Sequence, residues 1–192
     1  SALGAWSSVA NISLNEVPDT VTDVGQFRFA WTLAANEGAW AWGYFPSNFS
    51  ASGSDVWLST TNMGATRGVV ADWLPGGNAH EVLIHEIGHA LGLKHPFEGD
   101  KRLTGAEDSQ KYTVMSYTNH PNSLFRTTTI LEAEPFAELH YTTIRPDTLM
   151  PYDILAAQYL YGANMSYHAG NDTYSFDPAA PLLHAIATDP VL

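Results

Sequence analysis

The sequence predicts an α+β domain built on one mixed sheet, and three observations predict it. Short stretches of alternating apolar and polar residues recur between positions 12 and 58. A long helical run with few β-branched residues follows at Ala79 to Leu93. A second helical run, Met150 to Tyr161, comes after a loop-rich stretch. Strands gathered early and helices late is the segregated order of an α+β layout. At 192 residues the chain is the size of one domain.

The elements are read in chain order. Ala2, Leu3, Trp6, Val9 and Ala10 have helical spacing, and Asn11 ends that helix. Ile12 to Val17 alternates and is closed by Pro18-Asp19, which reads as a strand. Gln26 to Trp31 and Ala39 to Phe45 alternate in the same way, the latter stopped by Pro46. Positions 47 to 54 are a Ser/Asn/Gly loop, and Asp55 to Leu58 is a fourth short strand. Ala79 to Leu93 is the strongest helix, weakened slightly by Gly88. Residues 94 to 128 read as loops, and 129 to 147 as a surface excursion with hairpin character. In the last helix Pro151 sits at a tolerated first-turn position, and Gly162 supplies the cap.

Composition excludes several classes of function. Six Trp, nine Tyr and eight Phe can build a core, which argues against intrinsic disorder. Only 8 basic residues stand against 20 acidic ones, so there is no basic stripe for nucleic acid. No cysteine is present, so disulfide and thiol chemistry are excluded. No stretch is apolar enough for a membrane-spanning helix, and Ser1 to Ala10 lacks the pattern of a signal peptide.

The segment that carries chemistry is His85-Glu86-Ile87-Gly88-His89-Ala90-Leu91-Gly92-Leu93-Lys94-His95. Residues four apart lie on one helix face, so His85 and His89 can hold one ion. Zinc accepts neutral imidazole nitrogen and favours four-coordinate sites. Glu86 lies round the helix from its neighbours and is placed as a general base rather than a ligand. Gly92 can take positive φ and end the helix sharply, so that His95 turns back as the third ligand. Three imidazoles leave one position open, which marks a catalytic site.

These residues, with Met115 twenty positions beyond His95, are similar to the metzincin metalloproteases. Pro96 after the third histidine and the turn Val114-Met115-Ser116-Tyr117 resemble the serralysin branch, secreted bacterial zinc proteases. The segments Trp6 to Ile12, Ala39 to Pro46, Asp55 to Leu58 and Tyr152 to Asn164 also look serralysin-like, so the resemblance covers nearly the whole chain. It implies a zincin-like catalytic domain, a twisted mixed sheet with an active-site helix and a C-terminal helix. Residues 1–93 would form the upper subdomain, and 94–192 the lower one with the methionine turn. Met115 would be an apolar floor beneath the imidazoles. Tyr117 would be a mobile further zinc ligand that hydrogen-bonds the developing oxyanion. The strand carrying Ala41, Trp42, Gly43 and Tyr44 would take peptide substrate as an added antiparallel strand. The segment with Pro121, Leu124 and Phe125 would wall the pocket beyond the scissile bond. The expected activity is that of a secreted, extracellular zinc endopeptidase acting on protein or peptide, subject to a proteinaceous inhibitor or pro-segment.

Three departures from that family stand out. The chain starts within the first helix, so the family's opening strand is expected to be missing. The stretch from His95 to Met115 is short, and 122 to 147 reads as an insertion. The calcium-binding glycine-rich repeats that follow in serralysins are absent, although Gly170 to Phe176 resembles the junction before them. Calcium (Ca2+) is a candidate second metal, with Asp172, Asp177 and Asp189 read first as solvated loop carboxylates. His80, His120, His140, His168 and His184 are read in loop-like or polar contexts, His120 being the one with a claim on the cleft. Two competing readings are an inactive zinc module that binds protein through the same edge-strand cleft and a zinc hydrolase acting on something other than peptides.

Overall fold

A computed structural model describes residues 1–18, 20, 24–33, 38–130 and 137–170. Gly170 is the last described residue, so the rest of the junction-like segment, together with Asp172, Asp177, Asp189 and His184, lies outside the described residues. Helix α1 spans Ala2–Val9 and is capped by Ser1, whose hydroxyl oxygen accepts from the Gly4 amide. Strands β1 (Phe29–Thr32), β2 (Ala41–Gly43) and β3 (Val56–Ser59) form a sheet in the order β1-β3-β2. β1 runs parallel to β3 and β2 antiparallel to it, so the sheet is mixed as expected. Two one-turn helices follow, α2 (Thr60–Met63) and α3 (Val70–Trp73). The long helix α4 spans Asn78–Ala90. A hairpin of β4 (Leu124–Ile130) and β5 (Ala137–Thr143) precedes α5 (Pro151–Tyr161).

Several sequence expectations shift. Ile12 to Val17 forms no strand. Ile12 and Leu14 are partly buried and Ser13 and Asn15 exposed, but the segment joins no ladder among the described residues. Alternation marks a half-buried ribbon, and only a partner makes it a strand. β1 begins at Phe29 rather than Gln26, because Arg28 forks onto the buried Asp55 (Nε–Oδ1 2.8 Å, Nη2–Oδ2 2.7 Å) where the pairing opens. The helix expected to run to Leu93 stops at Ala90, with Gly92 at φ +99. The short helices α2 and α3 were not legible, one turn being too brief for periodicity to show. The excursion is a hairpin, as the alternation in its second half suggested, but its first strand starts at Leu124, inside the stretch expected to be loop.

α4 is buried on nearly all sides, and the rest of the fold is arranged around it. Ile84, Ile87 and Leu91 face a core shared with Trp6 of α1, Met115 and Ala157 of α5. Ala79 and Ala90 face a second core with Val56, Leu58 and Met63 under the sheet. The carbonyls left over at its C-terminal end are satisfied, Ala90 O by the Ser54 hydroxyl (2.9 Å) and Leu91 O by the Tyr161 hydroxyl (2.7 Å). At its first turn Glu81 accepts from Gln110 and Arg145, which ties the hairpin root and the following loop to the helix.

Two glycines let other backbones come close to α4. A Cβ on Gly43 would lie 2.4 Å from Glu86 O and 3.0 Å from His89 Cβ, so β2 crosses the helix in direct backbone contact. A Cβ on Gly88 would lie 2.5 Å from the Met115 sulfur. Gly43→Ala is therefore expected to lower unfolding free energy by about 1–3 kcal/mol in urea titrations. Parental stability in that variant would contradict the close approach.

Candidate metal centre

The three histidines of the motif converge. His85 and His89 sit one turn apart on the buried face of α4, and His95 arrives after the reversal at Gly92. The helix carbonyls organise that reversal, since Gly92 N donates to His89 O (2.8 Å) and Leu93 N to Gly88 O (2.9 Å). The Nε2 of His95 lies 3.2 Å from that of His85 and 3.0 Å from that of His89. Among the described residues, these three form the group of His, Cys, Asp and Glu able to share a metal ion.

Their outer nitrogens fix the tautomers. His85 Nδ1 lies 2.8 Å from Val114 O, His89 Nδ1 2.7 Å from Leu93 O and His95 Nδ1 2.9 Å from Glu98 Oε1. A carbonyl or carboxylate oxygen only accepts, so each Nδ1 carries the proton and each Nε2 presents a lone pair inward. Burial lowers the pKa of His85 to about 3 and also lowers that of His89, so both are neutral at pH 7. Three converging lone pairs repel one another unless a cation lies among them. A tetrahedral zinc with imidazole nitrogens at 2.0–2.1 Å has nitrogen–nitrogen edges of about 3.3 Å, close to the spacing found. The donor set and its protonation therefore fit zinc.

Glu86 is buried beside them, and one of its oxygens, Oε2, is shielded from solvent with no hydrogen-bond partner. Burial raises its pKa to about 7, and the backbone amide of Gly43 pulls it partway back. A buried carboxylate oxygen without a partner marks a place where a polar group is to be received. Tyr117 is exposed, with its ring stacked on His85 at 5.6 Å between centroids and inclined to His95 at 4.6 Å. Its pKa is raised, by burial first and then by the carboxylates of Glu86 and Glu98. Met115 is buried directly under α4. Past the metal-binding face, Gly43 abuts Glu86 and His89, and the Phe45 ring meets His89 edge-on at 5.7 Å. Among the described residues β2 has β3 on one side only, so residues 41 to 44 form a sheet edge at this site; Ala41 is buried, Trp42 and Gly43 are partly exposed and Tyr44 is exposed.

Other expectations sort themselves on this geometry. His80 is not in a loop: it is buried in the first turn of α4, with Nε2 3.2 Å from Asp147 O. His120 accepts from the Asn122 amide at Nδ1 and is not among the converging ligands. The sequence reading missed Glu98, Leu93 O and Val114 O, which hold the imidazoles from behind. Glu98 stands three residues after His95, a spacing that could have flagged it. The two carbonyls leave no trace in a sequence.

No protein-family profile matches the chain. It is 31% identical over 186 residues to Serralysin G of Dickeya chrysanthemi, covering 91% of this chain and 34% of the relative. It is 32% identical over 210 residues to Serralysin of Proteus mirabilis, covering 98% and 38%. It is 30% identical over 186 residues to the metallopeptidase AprA of Pseudomonas marginalis, covering 92% and 35%. The chain thus spans little more than a third of the length of these curated relatives.

One further buried carboxylate holds the methionine turn. Asp153, in the first turn of α5, accepts from the Thr113 hydroxyl (2.6 Å) and from the Val114 and Met150 amides (2.8 and 2.9 Å). Burial pushes its pKa up to about 6 against the pull of these donors, from an ordinary value of 3.8. The folded state holds this proton more tightly than the unfolded chain, so the stability it lends is full below about pH 4 and lost as pH rises through 6. Urea unfolding of the parent and Asp153→Asn should show the parent losing ground to the variant between pH 4 and 7. A difference that stays flat would mean the three donors keep the carboxylate ionised throughout.

Proposed function

The chain is a serralysin-like metzincin, and from that premise we propose that it is a secreted zinc endopeptidase. The observation that carries the reading is the inward convergence of three imidazole Nε2 atoms beside a buried carboxylate. His85, His89 and His95 would hold the zinc, which when bound supplies a Lewis acid that polarises a carbonyl and acidifies water. No described helix is long and apolar enough to cross a membrane, which is compatible with an extracellular setting.

The chain's own residues divide the remaining work. Glu86 takes the proton of the attacking water and delivers it to the leaving amine. A pKa near 7 suits both halves of that transfer, since an acid–base group works best near the operating pH. Tyr117, protonated at neutral pH, donates its hydroxyl hydrogen to the developing oxyanion and would be an exchangeable further ligand to the zinc. Met115 gives the imidazoles an apolar floor and, with Gly88, sets the distance between the turn and the helix. Peptide substrate lies antiparallel to residues 41 to 44, using main-chain hydrogen bonds along the free edge of β2. Residues 1–93 and 94–192 would form the two walls of the cleft, which an inhibitor or pro-segment would also enter.

Glu86→Gln should keep one zinc per chain and lose about 10²–10⁴-fold in peptide hydrolysis. Cleavage at the parental rate would remove Glu86 from the mechanism, and cleavage of non-peptide esters alone would point to another hydrolase class. Glu98→Gln removes the carboxylate behind His95 and should weaken zinc binding about 10–100-fold in competition with a chromophoric chelator. Unchanged affinity there would show that Glu98 does not orient the imidazole.

A further inference from the structure

A cavity of about 510 Å³ lies on the far side of the methionine turn, between the 92–103 loop, that turn and α5. Its size falls in the range of small-molecule sites. Most of its surface is apolar: Leu103, Ala156 and Leu160 line it, with Met115 at its inner end. Leu160 is half exposed there and Tyr159, also lining it, almost fully, so apolar surface is left facing solvent at the cavity's mouth.

The charge around it runs against that of the molecule. The whole chain carries 8 basic residues and a net charge of -12, yet Lys94, Lys101 and Arg102 all line this one cavity. Lys94 donates to the carbonyls of His95 and Glu98 (3.1 and 2.6 Å), which closes the loop. Lys101 and Arg102 are exposed and make no ion pair among the described residues. The one acidic group in the lining, Asp153, is buried, and its oxygens already accept from Thr113, Val114 and Met150. The cavity therefore offers an apolar wall and, at its rim, two cations that are unpaired among the described residues.

We propose that this cavity binds a small amphipathic carboxylate, of the class of a medium-chain fatty acid, with its chain against Leu103, Ala156 and Leu160 and its carboxylate between Lys101 and Arg102. Arg and Lys are well suited to a carboxylate, Arg through its two-pronged donor fork and Lys as a point charge. The apolar body supplies the affinity that an exposed charge pair alone lacks. None of the three histidines lines it.

Isothermal titration of the metal-loaded protein with decanoate, decanol and acetate tests the assignment. Decanoate is expected to saturate one site, decanol to bind about tenfold more weakly, and acetate to show no saturation. The Lys101→Gln/Arg102→Gln variant should lose about that same tenfold for decanoate, whereas Arg126→Gln, an equal loss of charge on the exposed hairpin, should not. Both altered side chains are exposed, so an unchanged melting temperature verifies the fold. Equal binding of decanoate and decanol would overturn the proposal. So would decanoate affinity untouched by the double substitution, which would place the anion at the histidines instead.

Discussion

The structure depends on one electrostatic constraint: three imidazole nitrogens, each with its lone pair turned inward, are held within about van der Waals contact at the end of a buried helix. Left alone, such a set would splay apart. Here it cannot, because each ring is held from behind by an acceptor that comes from a different stretch of chain: Val114, Leu93 and Glu98. The acceptors dictate the tautomer, the tautomer dictates the ligand atom, and burial keeps His85 and His89 neutral. Stability and readiness for a cation thus come from the same contacts.

Much of the remaining fold can be understood as support for that convergence. Trp6 and Ala157 lie with Ile84 and Ile87 in one core, so the first and last helices clamp α4 from one side. The sheet clamps it from the other through Val56 and Leu58. Asp153 carries the position of α5 into the methionine turn, and Val114 of that turn carries it on to His85. The chain's beginning is tied to the end of α5 by the pairing of Ala10 with Ala163. A displaced α5 would therefore reach the metal-binding face in two hydrogen-bonded steps.

The site was far more legible in the sequence than the sheet. Two histidines one turn apart, a glycine free to reverse the chain and a third histidine encode their geometry locally, so the helix alone nearly specifies the centre. Glu86 was legible for the same reason. Strands encode only a face and depend on partners that the sequence does not reveal, so Ile12 to Val17 alternated yet paired with nothing described. β1 slipped three residues because the Arg28–Asp55 pair, 27 positions apart, decides where pairing starts. Backbone acceptors such as Leu93 O and Val114 O are invisible in any sequence, since every residue has a carbonyl and only the fold selects which one is used.

The central claim is that the chain builds a cation site of three converging imidazoles beside the buried Glu86. X-ray absorption at the zinc edge, on protein purified and loaded with one equivalent of metal, tests it most directly. The account predicts three imidazole nitrogens at about 2.0–2.1 Å and a light-atom ligand filling the remaining position. A coordination shell with fewer than three imidazoles, or a protein that holds no zinc after dialysis, would contradict it.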